Sequence, residues 1–302
     1  MPNVRNVRPA HAAVVALLTF MVLSFGGRPL GAQAAAAPAP PYPVRLLDRP
    51  TTLPKRALRL DLYGLGTHAP GSSFATTGIV GGGWGITSNL EVGGQLVPVT
   101  LSPTVQYTNP SLYATYQRSL SSSVALAPTL QAVLPLRSGD PFTVDAGASL
   151  YVNIGAWGYL AASPTFSLNT RQEGNGTSLS LPLTVMRQAS TRFNWQLSMA
   201  VGFSRFDPRF GLSRRFEALD FNDVTIPATA LLMYTVPRKG TGDALVDIIV
   251  QGQFSQLYTR GPERRGWQTD DWTLQLQTSW YFVRSPRSAA PRSASSVKKS
   301  SL

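Results

Sequence analysis

The stretch WTLQLQTSWYF, residues 272–282, interleaves two sets of side chains. Trp272, Leu274, Leu276, Thr278, Trp280 and Phe282 are mostly apolar, while Thr273, Gln275, Gln277, Ser279 and Tyr281 can all make hydrogen bonds. A strand sends successive side chains to opposite faces, so this pattern specifies a strand with one apolar and one wet face. Phe193, Trp195, Leu197, Met199, Val201 and Phe203 alternate in the same way with Asn194, Gln196, Ser198, Ala200 and Gly202. Period-two alternation recurs along most of the chain and helical spacing is scarce, so the fold is all-β. Every strand then poses one question: whether its apolar face meets another sheet or lipid.

Alternating runs, separated by turn residues, predict about twelve strands. GGGWGITSNLEVGGQL, 81–96, reads as strand, tight turn at Thr87, Ser88 and Asn89, and strand. The connections alternate in length. Short ones fall near 87–89, 121–123, 155–158 and 190–192, with a longer one at 237–243. Between them lie long ones at 64–73, 100–110, 137–141, 169–176, 207–222 and 260–270. That is the plan of a single up-and-down antiparallel transmembrane β-barrel, with short turns on the periplasmic side and long loops outside. Pro128, Pro164, Pro182 and Pro227 fall inside the predicted strands and each removes a ladder donor, so each marks either a bulge or a misplaced strand.

The ends of the chain are different in kind. Arg5 and Arg8 precede an apolar run from Ala12 to Phe25, and Ala32-Gln33-Ala34 follows as a small-residue cleavage site. Residues 1–34 therefore read as an export signal cleaved near Ala34, the apolar run being shorter than the roughly 20 residues of a spanning helix. Residues 35–54 form a Pro- and Ala-rich lead-in, 55–283 the barrel, and 284–302 a Ser-, Ala- and Pro-rich tail with five basic residues and no acid. Such a tail reads as disordered. Removing Arg5, Arg8 and Arg28 with the signal takes the formal charge from +12 to +9. In an exported chain that excess argues for polyanion contact by the tail rather than for nucleic acid. With no cysteine, disulfides, thiolate metal sites and cysteine catalysis are excluded.

The apolar faces carry their aromatic residues at the strand ends. Trp195 and Phe203 flank Leu197, Met199 and Val201; Trp272, Trp280 and Phe282 flank Leu274, Leu276 and Thr278. Lipid favours this arrangement because aromatic rings settle at its two interfaces. The eight residues from Trp195 to Phe203 span about 26 Å along a strand, or roughly 20 Å of height at a tilt of about 40°. Trp84, Trp195, Trp280 and Phe282 fall at the short-turn edge, and Phe203 and Trp272 at the long-loop edge. The presumed lipid face carries almost no charge. Basic residues gather in the long loops instead, at Arg205, Arg209, Arg214, Arg215, Arg260, Arg264 and Arg265, where they suit the phosphates of outer-membrane lipid and lipopolysaccharide or simply face solvent.

The final strand, ending in Phe282 with an outward Trp280, resembles the C-terminal aromatic signal of outer-membrane β-barrel proteins. WGITSNLEVGG, 84–94, is similar to a hairpin of transporter-like barrels of unassigned function. The resemblance covers about 55–283. It implies a porin-like or transporter-like barrel in the outer membrane of a diderm bacterium, inserted by the barrel assembly machinery.

Catalysis finds little support. The mature chain has one histidine, His68, and no spacing links it with Ser72, Ser73 and Asp61 as base, nucleophile and orienter. One histidine without cysteine gives no zinc constellation, and no cofactor motif occurs. The reading is therefore not an enzyme, without cofactor or metal. The polar face of the strands would line the lumen with Arg59, Asp61, Glu91, Tyr113, Asp145, Tyr151, Asp247, Gln251 and Gln275. Charges there need water or partners, so the lumen should be wet. The expected function is a narrow passive pore or transporter-like channel for ions or small polar solutes. With Arg59 alone against four acids, weak cation preference follows. The alternatives are a non-conducting structural or adhesion barrel, and a soluble secreted β-sandwich in which the apolar faces pack on each other.

Overall fold

The computed structural model describes residues 42–102, 104–137, 140–171, 174–204, 224–240, 242–260 and 265–283. The export signal, the basic tail and Arg205, Arg209, Arg214, Arg215 and Arg264 lie outside the described residues. Twelve antiparallel strands form one sheet. They are β1 Leu58–His68, β2 Ala75–Gly85, β3 Leu90–Ser102, β4 Ser111–Tyr116 resuming at Arg118–Ser119, β5 Val124–Val133 and β6 Phe142–Asn153. Then follow β7 Gly158–Ala162 resuming at Thr165–Arg171, β8 Gly174–Gln188, β9 Phe193–Ser204, β10 Val224–Pro237, β11 Ala244–Arg260 and β12 Trp272–Phe282. Each strand pairs with its sequence neighbours. β12 then returns to β1 in an unbroken register from Leu58↔Phe282 to His68↔Trp272, which closes the sheet into a barrel.

Short turns β2–β3, β4–β5, β6–β7, β8–β9 and β10–β11 share one end with the start of β1 and the end of β12. At the β2–β3 turn the Thr87 hydroxyl accepts the Asn89 and Leu90 N–H groups, 3.2 and 3.0 Å away. The opposite end carries the long loops, with two corrections. Residues 64–68, expected as the start of a long loop at 64–73, continue β1 and pair with β12. Residues 169–176, expected as a long loop, belong mostly to a tall hairpin, because β7 runs on to Arg171 and β8 begins at Gly174. Asn175, Gly176 and Thr177 thus sit in the ladder.

Burial settles what the apolar face touches. Leu197 is 52% exposed, Leu274 54% and Leu276 56%, and Leu58, Leu60 and Leu62 are exposed alike. Between those leucines Asp61 is 2% exposed. The apolar set points out of the barrel and the polar set points in. A β-sandwich would bury the first against a second sheet; here a single sheet closes on itself. An apolar belt this continuous, ringed by Trp84, Tyr234, Trp280 and Phe282 at one end and Phe74 and Phe254 at the other, fits a bilayer and not water.

The prolines explain where the ladder breaks. Pro128 on β5 stands opposite Tyr116, one residue before the interruption at Gln117 that divides β4, since Thr115 pairs with Thr129 and Arg118 with Leu126. Without an N–H, Pro128 cannot hold the residues facing it. β7 breaks at Ser163 and Pro164, across from Pro182, whose carbonyl still accepts the Ser163 N–H at 3.0 Å. Pro227 sits at the register shift between Ile226 and Ala228. Pro128, Pro182 and Pro227 lie within strands, and Pro164 lies in the break of β7.

The greatest surprise is the lead-in. Residues 42–57 form a strap folded against the short-turn mouth of the barrel. A single 3-10 turn, Leu46–Asp48, bends it. Tyr42, Leu53 and Ala57 are buried with Ala244 and Tyr281, and Val283 packs alongside. The strap begins at β11, where Ala244 N–H donates to Tyr42 O, and ends beside β2, where Gly85 N–H donates to Ala57 O. Gly85 permits that approach: a Cβ there would lie 2.0 Å from the Pro54 carbonyl oxygen.

Candidate functional site

The inward face and the strap together make the site. On β1, the Arg59 guanidinium donates to Asp61 at 2.9 Å and to the Tyr113 hydroxyl at 2.8 Å, and lies 3.3 Å from Glu91. Tyr113 donates in turn to Glu91 at 2.6 Å. Room for this group comes from β2 and β3, where a Cβ at Gly83 or Gly93 would strike the Tyr113 hydroxyl at 2.8 or 2.6 Å. Arg59 thus bridges Asp61 and Glu91 across the lumen wall, with both carboxylates almost wholly buried.

A second group is built around Asp247 of β11. Arg49 of the strap grips this carboxylate with both terminal nitrogens, at 2.5 and 3.1 Å. Thr235 on β10 and Tyr281 on β12 donate to the same carboxylate at 2.6 and 2.7 Å. Arg49 also donates to the Thr235 hydroxyl at 2.8 Å and to the strap carbonyls of Pro43 and Val44 at 2.6 and 2.9 Å, so all of its nitrogens are used. Its charge lies 5.1 Å from the Tyr42 ring centre and 5.6 Å from that of Tyr281. Burial alone would weaken the Arg49 guanidinium's hold on its proton, but the bonds and charge of Asp247 outweigh it and raise the pKa further. The Tyr42 hydroxyl is likewise pushed above its usual range by burial.

The strap has further anchors around the mouth. Leu53 N–H donates to Glu91 at 2.9 Å, and Thr51 N–H to the Gln117 side chain at 2.7 Å. Arg45 reaches the Ala156 carbonyl in the β6–β7 turn at 2.9 Å, on the wall facing β12 and β1. Gln117 keeps a backbone bond to the β2–β3 turn, its N–H donating to Asn89 O at 2.7 Å, while its side chain holds the strap. Between the strap and β4–β7 remains a cleft of about 360 Å³, lined by Thr51, Gln117, Ser119, Tyr151, Asn153 and Tyr159 among others.

Above the mouth the wall is polar and mostly uncharged. Gln275 donates to Gln277, Gln277 to Ser279, and Ser279 to Asp61, at 2.9, 2.9 and 2.6 Å, forming a ladder down β12. Gln251 is the register partner of Gln275. Asp145 accepts the Ser167 hydroxyl at 2.5 Å, and Tyr151 meets Tyr159 edge-on with ring centres 5.5 Å apart. The structure therefore gathers Arg59, Asp61, Glu91 and Tyr113 into one cluster and puts Asp247 in another. Asp145, Tyr151, Gln251 and Gln275 stand apart. Sequence reasoning missed Arg49, Thr235 and Gln117. Arg49 also alters the balance expected of the wall, where two arginines rather than one now face Asp61, Glu91, Asp145 and Asp247.

Of the interface aromatics, Trp84, Trp280 and Phe282 are exposed, while Trp195, Phe203 and Trp272 are half-buried on the same outer face. His68 lies at the long-loop end, its ring 5.8 Å from Trp272. Asp61 is seven residues away along the same strand, about 23 Å at ~3.3 Å per residue. The two cannot act as base and orienter.

No protein-family model matches the chain, and no curated protein matches it. Solved structures do. An outer membrane channel from Pseudomonas putida F1 aligns with 76% of this chain and 97% of its own at a TM-score of 0.53 and 12% identity. The KdgM porin, solved in complex with disordered oligogalacturonate, covers 74% of this chain and 99% of its own at a TM-score of 0.47 and 8% identity. The fold is that of outer-membrane β-barrel channels.

Proposed function

We propose that the chain is an integral outer-membrane barrel that passes ions and small polar solutes through a lumen narrowed at its periplasmic mouth by its own N-terminal strap. The short-turn end is then periplasmic, the side to which an export signal delivers both ends of an even-stranded barrel. The observation that carries the reading is the polar cleft of about 360 Å³ left between the strap and β4–β7, at the foot of a glutamine- and tyrosine-lined wall. Its lining offers hydroxyls and amides, with Arg49 as its one charged residue and that charge paired with Asp247, which suits small hydrated solutes and gives no tight binding site. Asp61, Glu91, Asp145 and Asp247 against Arg49 and Arg59 leave the lumen acidic by two charges, which favours cations weakly.

The rival reading is a non-conducting barrel, favoured by the ion pair that pins the strap across the mouth. Planar-bilayer recording of the purified mature protein separates the two. Small, steady, cation-preferring conductance supports the pore. A sealed membrane that stays sealed after the strap is released rejects it in favour of a structural barrel.

A further inference from the structure

We propose that the periplasmic rim is a collar that holds anionic phospholipid headgroups of the inner leaflet, through guanidinium groups that point outward beside the aromatic girdle. The inference rests on the membrane-barrel reading above and concerns the outer wall rather than the lumen.

The charge of the chain is divided unequally across the barrel. The segments joining the outer ends of the strands, 137–140, 171–173, 205–223 and 260–271, hold nine basic and nine acidic residues, a balance of zero. At the other end, Lys55, Arg56, Arg118, Arg187, Arg192 and Lys239 are all exposed. None of these six pairs with a carboxylate among the described residues. The net positive charge of the mature chain thus lies outside the outer-end segments, and five of its basic residues are in the tail that follows β12.

Geometry selects lipid as the partner of the rim. Arg187 follows Leu181, Leu183 and Val185 on the outward face of β8, four residues beyond Leu183, the most exposed of them at 66%. Its register partner is Trp195, and its guanidinium lies 5.7 Å from the ring centre of Trp157 in the β6–β7 turn. Arg192 stands in the β8–β9 turn, across from the inward-facing Thr235. Arg118 follows Tyr116 on the outward face of β4 and pairs with Leu126. Arg118 and Arg187 are thus arginines on the membrane side of the wall, at the level of rings that mark the interface. There a long basic side chain keeps its stem in the apolar belt and its charge among the headgroups. A planar guanidinium offers a phosphate two parallel donors. A partner deeper in the periplasm would meet the turns and the tail, not the outward faces of β4 and β8.

The test uses the mature chain reconstituted in phosphatidylethanolamine vesicles containing phosphatidylglycerol. Brominated forms of each lipid quench the native tryptophans according to their share of the first lipid shell. The wild type should prefer phosphatidylglycerol by about fivefold, the worth of one basic residue at an anionic surface, and salt should reduce this. The double variant Arg118→Gln, Arg187→Gln should lose most of the preference, while Arg137→Gln at the outer end should keep it. A second variant, Lys55→Gln with Lys239→Gln, should lose part of it, which guards against a folding defect in the first. Equal quenching by both lipids in the wild type overturns the proposal, as does an unaffected Arg118→Gln, Arg187→Gln variant. Loss of the preference on deleting 284–302 alone assigns it to the tail and overturns the rim. Binding to isolated peptidoglycan without lipid preference overturns it in favour of the cell wall. Failure of the barrel reading itself would show separately, as a protein whose gel mobility does not change on boiling.

Discussion

Replacing Arg49 by Met should unlatch the strap. Arg49 and Asp247 have side chains only 2% and 1% exposed, and the pair is the sole ion pair between strap and wall among the described residues. Removing one partner of a buried ion pair costs about 3–5 kcal/mol, because it leaves the other charge uncompensated. Thr235 and Tyr281 would still donate to Asp247, which puts the cost nearer the lower figure. About 3 kcal/mol shifts the ratio of docked to released strap by roughly 150-fold. A state too rare to register in the wild type would then occupy a visible share of the record. In single-channel recordings Arg49→Met should open to a larger, noisier level, and Asp247→Leu should do the same by stranding Arg49. The double variant Arg49→Met, Asp247→Leu carries no orphan charge and should return toward the quiet wild-type level, since apolar replacement of a whole buried pair is often neutral or stabilising. The reasoning fails if Arg49→Met conducts as the wild type does, or if the double variant is as open as the singles.

Other substitutions test other parts of the molecule. Gly85→Val would set a side chain against the Pro54 carbonyl, so the strap should shift and conductance rise without loss of the heat-modifiable band. Leu276→Arg, at the middle of the outward face of β12, should lower stability in urea titrations in lipid by about 2–4 kcal/mol, whereas a neutral Leu276→Ala should cost far less. Reversal potentials in a salt gradient should show weak preference for cations, reduced by Asp145→Asn; anion preference would refute the summed charge of the wall.

The alternation of β9 and β12 was legible because lipid imposes a simple rule on one face, and the rule acts on every second residue. The aromatic ends were legible for the same reason. The strap was not. YPVRLLDRP, 42–50, has no period, and its contacts lie far off in sequence, Arg49 to Asp247 spanning 198 residues. One signal did exist on the other partner. Asp247 interrupts ALVDIIVQ, 244–251, and a carboxylate in so apolar a run needs a buried cation. Gln117 looked like any polar residue of a strand, since its partner, the Thr51 N–H of the strap, lies 66 residues away in sequence. The prolines themselves could be read as bulges or as errors, and only the register of the partner strands separates these.

The closing register of β1 and β12 also dictates an order of events. The residues it joins, Leu58 and Phe282, stand near opposite ends of the chain. Until the last strand arrives, β1 keeps an open edge that could recruit another chain. Contacts of such long sequence separation form slowly. The strap inherits the same delay, because Thr235, Asp247 and Tyr281, which hold Arg49, all belong to the final three strands. Its later part can settle early on β2, β3 and β4, through Gly85, Glu91 and Gln117, but its Arg49 end has no partner until the last strands are in place. The short-turn mouth is therefore the last part of the barrel to be shut.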